Sequence, residues 1–118
     1  MEKTQKTKRY DLDERTLAFA LSVRRFVPQL ARTISNGEDM KQLVRSSGSI
    51  GANYLEASES LGKKDFAMRI RIARKEAKET IYWLRLLDCK DLEQTKETLI
   101  QECTELMKIF GAILEKVK

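Results

Sequence analysis

Histidine is absent from this 118-residue chain. Without it, neither a Ser-His-Asp nor a Cys-His catalytic set can be assembled, and the HExxH zinc site and the Glu-x-x-His ligands of di-iron bundles are excluded as well. Cysteine occurs twice, as Cys89 and Cys103, which is too few for a disulfide framework or a closed zinc site. A reducing cytoplasm is therefore the expected location. No apolar run approaches the roughly 20 residues that cross a bilayer. The opening residues, MEKTQKTKRYD, lack the apolar segment of a secretory signal, and no membrane association is expected.

There is one proline and there are five glycines, with 42% hydrophobic and 35% charged residues. That composition fits a charged-surface helical protein rather than a disordered or all-β chain. The length suits one domain with a real core. With 23 basic and 18 acidic residues the formal charge is +5, a balance that favours nucleic acid or another acidic partner over a cationic one. On charge alone, a soluble helical protein with a solvated lysine-rich surface is the stronger reading.

Apolar spacing predicts four helices behind a basic, frayed tail over about 1–10. Leu12, Thr16, Phe19, Val23, Phe26 and Leu30 alternate steps of four and three, the stripe of a bundle helix, and the first helix is predicted over about 12–34. Asp11 or Asp13 can cap its start, and Pro28 should kink or end it. Ser35-Asn36-Gly37 reads as a turn. The second helix, about 38–61, carries Met40, Leu43, Ser47, Ile50, Tyr54, Ala57 and Leu61, with Gly62 as its stop. The third, about 63–88, has its seam at Phe66, Ile70, Ala73, Ala77, Thr80, Leu84 and Leu87. The fourth, about 94–117, has Leu99, Cys103, Leu106, Phe110, Ile113 and Val117. Short connections between four such segments imply an all-α, antiparallel up-down-up-down four-helix bundle.

The stretch RSSGSIGANYLEASE, from Arg45 to Glu59, is rich in small residues yet does not interrupt the helical spacing. A phosphate-cradling loop would need a preceding strand and a pattern such as GxxxxGK[ST], and neither is present. Small residues at Gly48, Gly51 and Ala52 instead allow close approach of a neighbouring helix, which recovers packing energy that the glycines cost. Asn53 and Glu56 lie one turn apart beside this strip, with Arg69 or Arg74 available as partners. The pairs Glu56 with Glu59 and Glu76 with Glu79 could form an acid/base or oxygen-ligand site, but salt bridging to the many arginines is the expected use. Cys103 falls on the seam as a small core residue, and Cys89 has no evident base beside it. No catalytic, cofactor-binding or metal-binding residue is assigned.

Two runs, QLVRSSGSIGANYLEASES and KKDFAMRIRIARKEAKETIYWLRLL, resemble a bacterial family of four-helix-bundle proteins tied to intervening sequences in 23S ribosomal RNA genes. The shared pattern is QL-x-RS-x-x-SIGANY-x-EA, then KDF, then KEA-x-ETxYWLxLL, over about 42–87. The resemblance implies a homopentamer with no assigned catalytic residues. It also implies kinship with the accessory variability determinants of diversity-generating retroelements, which bind a reverse transcriptase and nucleic acid through a positive surface.

The expectation is a non-enzymatic, homo-oligomeric bundle that binds RNA or a nucleic-acid-handling protein. Arg69, Arg71, Arg74, Lys75 and Lys78 are the candidate nucleic-acid residues, some of them tied to Glu56, Glu76 or Glu79. Gly48, Gly51, Ala52, Asn53, Glu56, Tyr82 and Trp83 are the candidate packing or oligomer residues. Ile72 and Leu86 also lie off the third seam, as a second buried surface requires. The alternative is a structural or adaptor oligomer that binds protein partners and has no nucleic-acid role.

Overall fold

The computed structural model describes residues 11–117, so the tail expected over 1–10 lies outside the described residues. Four helices carry the chain: α1 (Asp11–Phe26), α2 (Ile34–Ser58), α3 (Lys63–Leu86) and α4 (Glu93–Lys116). Single 3-10 turns occupy Val27–Gln29 and Lys90–Leu92, and no strand occurs among the described residues. The fold is an all-α four-helix bundle. Its seam residues meet in one core, where Phe19, Val23, Phe26, Leu43, Ile50, Ile70, Leu84, Leu106 and Phe110 are each 2% exposed or less.

Pairings across neighbouring helices give their directions. Between α2 and α3, Ser46 meets Thr80 while Asn53 meets Arg69. Between α3 and α4, Lys96 reaches the Leu87 carbonyl while Cys103 reaches that of Ala77. Numbers rise on one helix as they fall on the other, so both pairs are antiparallel. Arg15 of α1 closes the bundle onto α4 with a fork to Glu102 at 2.8 and 3.0 Å and a third bond to Glu105 at 3.1 Å.

The first connection differs from the sequence expectation. The helix predicted over 12–34 stops at Phe26, because Pro28 has no N–H to give and its ring crowds the carbonyl one turn back. The turn predicted at Ser35-Asn36-Gly37 lies inside α2, which starts at Ile34 rather than near 38. Thr33 is the cap, its hydroxyl accepting from the Asn36 amide at 3.1 Å. Asn36 is itself buried: its Nδ2 donates to the Ala31 and Asp88 carbonyls, and its Oδ1 accepts from the Asp88 amide. A polar residue that looks like a turn former thus stitches two loops together at one end of the bundle.

At the opposite end α2 stops at Ser58, three residues short of the predicted 61, leaving Leu61 fully exposed. Gly62 is the N-cap of α3 rather than the stop of α2. The last two helices run over Lys63–Leu86 and Glu93–Lys116, where 63–88 and 94–117 were expected. Lys96, only 8% exposed, donates to the Leu87 carbonyl at 3.0 Å and so satisfies the carbonyl end of α3. No helix among the described residues is long and apolar enough to cross a membrane.

Candidate functional site

α3 holds eight cations and three carboxylates, a surplus of five that equals the formal charge of the whole chain. The distribution around the helix follows from its period. Ile70, Ala73, Ala77, Thr80 and Leu84 are buried on the inner face. Arg71, Lys75, Lys78, Tyr82 and Arg85, at steps of four and three, therefore form one exposed stripe on the other side. Tyr82 is 57% exposed and leans edge-on to Trp83, with ring centroids 5.2 Å apart at 70°. Trp83 is half-buried, and its indole N–H meets no acceptor among the described residues.

The expected pairing of these cations with Glu76 and Glu79 does not occur. Both carboxylates are held by Arg45 of α2, at 3.6 Å for Glu76 and 3.5 Å for Glu79. Glu56 is exposed and makes no ion pair among the described residues. The reason is angular: Glu76 and Glu79 sit on the α2-facing flank of α3, within reach of Arg45, while the stripe points away. Arg71, Lys75 and Lys78 are exposed and Arg74 half-buried, and none of the four is in an ion pair among the described residues. Arg69 stands apart, since its Nη1 donates to Asn53 Oδ1 at 3.1 Å and fastens α3 to α2. Arg85 extends the stripe by one step and was missed from sequence, although continuing the spacing 71, 75, 78 finds it.

The small-residue strip divides the same way. Gly51 faces α1 so closely that a Cβ would stand 2.8 Å from Thr16 Oγ1 and 3.1 Å from its Cβ. Asn53 is committed to Arg69 and to the Ser49 carbonyl. Gly48 lies under the Arg24 guanidinium at ordinary contact distance, and Ala52 and Leu55 are exposed. Leu17 and Leu21, one turn apart on α1, are also exposed, at 55% and 43%. Deep between α2 and α3, Thr80 donates to the Glu76 carbonyl at 2.8 Å, which leaves Ser46 to donate to Thr80 at 2.7 Å.

Among the described residues no cluster of three or more His, Cys, Asp or Glu side chains could hold a metal ion. Burial pushes the Cys103 thiol up to about 12, and burial also raises that of Cys89. Neither supplies the thiolate that nucleophilic chemistry requires at neutral pH. An open groove of about 450 Å³ between α3 and α4 is lined by Ile81, Arg85, Glu93, Lys96, Glu97, Ile100 and Thr104. Both signs of charge line it, so it does not prolong the cationic field beyond Arg85.

Comparison with known proteins then narrows the frame. The family model described as 23S rRNA-intervening sequence protein matches residues 4–112. A solved structure from Bacteroides thetaiotaomicron VPI-5482, a protein of unknown function from the S23 ribosomal protein family, is 31% identical with a TM-score of 0.71. The match covers 87% of this chain and 97% of that one. A search of curated proteins finds no match.

Proposed function

This chain belongs to the 23S rRNA-intervening sequence protein family, and from that footing we propose that it is a non-enzymatic, homo-oligomeric module that binds RNA or a nucleoprotein partner through the outer face of α3. One observation carries the proposal: α3 concentrates the chain's positive surplus, and the carboxylates that would neutralise it are withdrawn by Arg45. Unpaired surface cations are what phosphate contacts use, because each neutralised phosphate releases counterions. With no base-reading motif in the sequence, binding has little sequence preference. Five copies is the number that the family resemblance implies. Support for self-association comes from large apolar side chains left exposed on three helices, Leu17 and Leu21 on α1, Leu55 on α2, and Met68 and Leu86 on α3. Two buried free cysteines suit a reducing cytoplasm.

The test is a salt titration of labelled RNA binding by the intact protein, with mass measured by light scattering. Log affinity should fall with log salt by about 0.7 for each single-strand phosphate neutralised. Replacing Arg71, Lys75 and Lys78 together with glutamine should weaken binding to unrelated RNAs alike, with the mass unchanged. Absence of RNA binding at about 50 mM salt, where the electrostatic contribution is strong, overturns the nucleic-acid role in favour of a protein adaptor. A mass of 13.7 kDa at micromolar concentration overturns the oligomer.

A further inference from the structure

Tyr82 is an anomaly for folding. It is a large aromatic left 57% exposed on a helix whose inner face is already filled by Ala77, Thr80 and Leu84. Nothing in the core requires it, and a straight-chain polar residue at that position would give a better helix. Its place is specific nonetheless. Lys78 lies one turn before it and Arg85 one turn after, both exposed, with Lys75 and Arg71 further along the same line. Trp83 stands edge-on at 5.2 Å, a contact that limits the positions the Tyr82 ring can take.

A line of cations that tracks phosphates, interrupted by an exposed aromatic ring, is the combination that binds unpaired nucleic acid. The cations alone would serve duplex and single strand alike. The ring discriminates, because bases in a duplex are already stacked on their neighbours and offer no free face, whereas an unpaired base does. We propose that the stripe Arg71, Lys75, Lys78, Tyr82 and Arg85 is a single-strand site, with one base stacked on Tyr82 and the flanking phosphates on the four cations. From Arg71 to Arg85 the helix rises about 21 Å at 1.5 Å per residue. That span covers about six phosphates at the roughly 3.4 Å per-strand spacing of a duplex, and fewer of an extended, unstacked strand. The assignment rests on the nucleic-acid function proposed above and specifies its substrate as unpaired strand.

The test uses the full chain, labelled oligouridine and oligoadenosine of about 12 nucleotides, and a duplex of equal length, with affinity read by fluorescence anisotropy at low salt. The variants are Tyr82→Ala, Tyr82→Leu and Tyr82→Phe. Alanine and leucine should each weaken single-strand binding by roughly 5- to 100-fold, while phenylalanine stays within about twofold. Duplex affinity and oligomer mass should be unchanged in all three. Trp83 is the only tryptophan, so a change in its emission on adding single strand should accompany binding to wild type and be reduced in Tyr82→Ala. Leucine keeps apolar area but has no π-face. A leucine variant that binds like wild type, or an alanine variant that changes mass, therefore marks Tyr82 as a contact between copies and overturns the stacking. Equal single-strand binding by Tyr82→Ala and wild type overturns stacking alone and leaves the basic-surface function standing. Wild-type protein that binds neither probe overturns both.

Discussion

Replacing Gly51 with alanine should destabilise the protein, although alanine is the better helix former. The gain from propensity alone is about 0.5–1 kcal/mol. Against it stands Thr16 of α1, whose Oγ1 would be 2.8 Å and whose Cβ 3.1 Å from the new methyl group. Thr16 has nowhere easy to go. It is 3% exposed, its χ1 is stiff because it is β-branched, and its hydroxyl donates to the Leu12 carbonyl at 2.7 Å. Either that bond is lost or α1 moves outward, and overpacking of this kind costs about 1–3 kcal/mol. The net expectation is a loss of up to about 2.5 kcal/mol. Gly37→Ala is the matched control: Gly37 is also within α2, but nothing lies within 4 Å of its added Cβ, so it should gain about 0.5–1 kcal/mol. Thermal and urea melts at one fixed protein concentration, since association shifts apparent stability, should separate the two variants by about 4–12 °C. Adding Thr16→Ala to Gly51→Ala should recover part of the loss, a non-additivity diagnostic of direct contact. Equal stabilisation of both glycine variants would refute the close approach of α1 and α2.

Two further outcomes follow from buried polar groups. Asn36→Ala should cost about 2–4 kcal/mol, because it removes three hydrogen bonds that join the 31 and 88 loops and leaves their backbone groups buried without partners. A change in the urea midpoint under 0.5 kcal/mol equivalent, about the effect of an ordinary surface substitution, would contradict this. Cys103 predicts alkaline sensitivity: its thiol titrates near 12 when folded against an ordinary value of 9.0. Between those values the folded state keeps a proton that the unfolded chain has lost, so stability falls as pH rises, by up to about 1.4 kcal/mol per pH unit, with no effect below the lower value. Urea midpoints measured from about pH 8 to about pH 10.5 should therefore fall more steeply for wild type than for Cys103→Ala, and parallel curves would count against it.

The fold was legible because the apolar seams carry it. All six positions in the first stripe, from Leu12 to Leu30, are buried, as are Ile70 to Leu87 on the third. What escaped was polar burial and helix ends. Asn36, Ser46, Glu76 and Lys96 are all 8% exposed or less, yet each is a residue type that ordinarily marks a turn or a surface. Their burial depends on partners from other elements, such as Thr80 for Ser46 and the Leu87 carbonyl for Lys96. Leu61 failed in the opposite sense: periodicity continued the stripe through it, whereas α2 had already stopped at Ser58. On α4 the spacing chose Ile113, while Leu114 is the residue buried at 8%.

The candidate surface was legible in part for a related reason. Spacing alone puts Arg71, Lys75 and Lys78 on one line, but it cannot say where neighbouring carboxylates are spent. Glu76 follows Lys75 directly in sequence and stands about 100° away around the helix, which turns it toward Arg45 rather than toward the stripe. Glu79, four residues after Lys75, is drawn to the same arginine. A helix with its own counterions on the same face would show little net field to a partner. Here the counterions are consumed at the α2 contact, so the outer face keeps its like charges despite the mutual repulsion they cost. Each protomer then offers three or four cations to one strand, and the salt slope should be about −2 to −3 per protomer engaged. Arg45→Gln, which leaves every cation of the stripe in place, frees the half-buried Glu79 to pair with Lys75 four residues before it, while buried Glu76 stays turned away. RNA affinity should fall on that substitution although Arg45 lies on α2 and off the stripe, and an unchanged affinity would mean that the withdrawal of Glu79 has no part in binding.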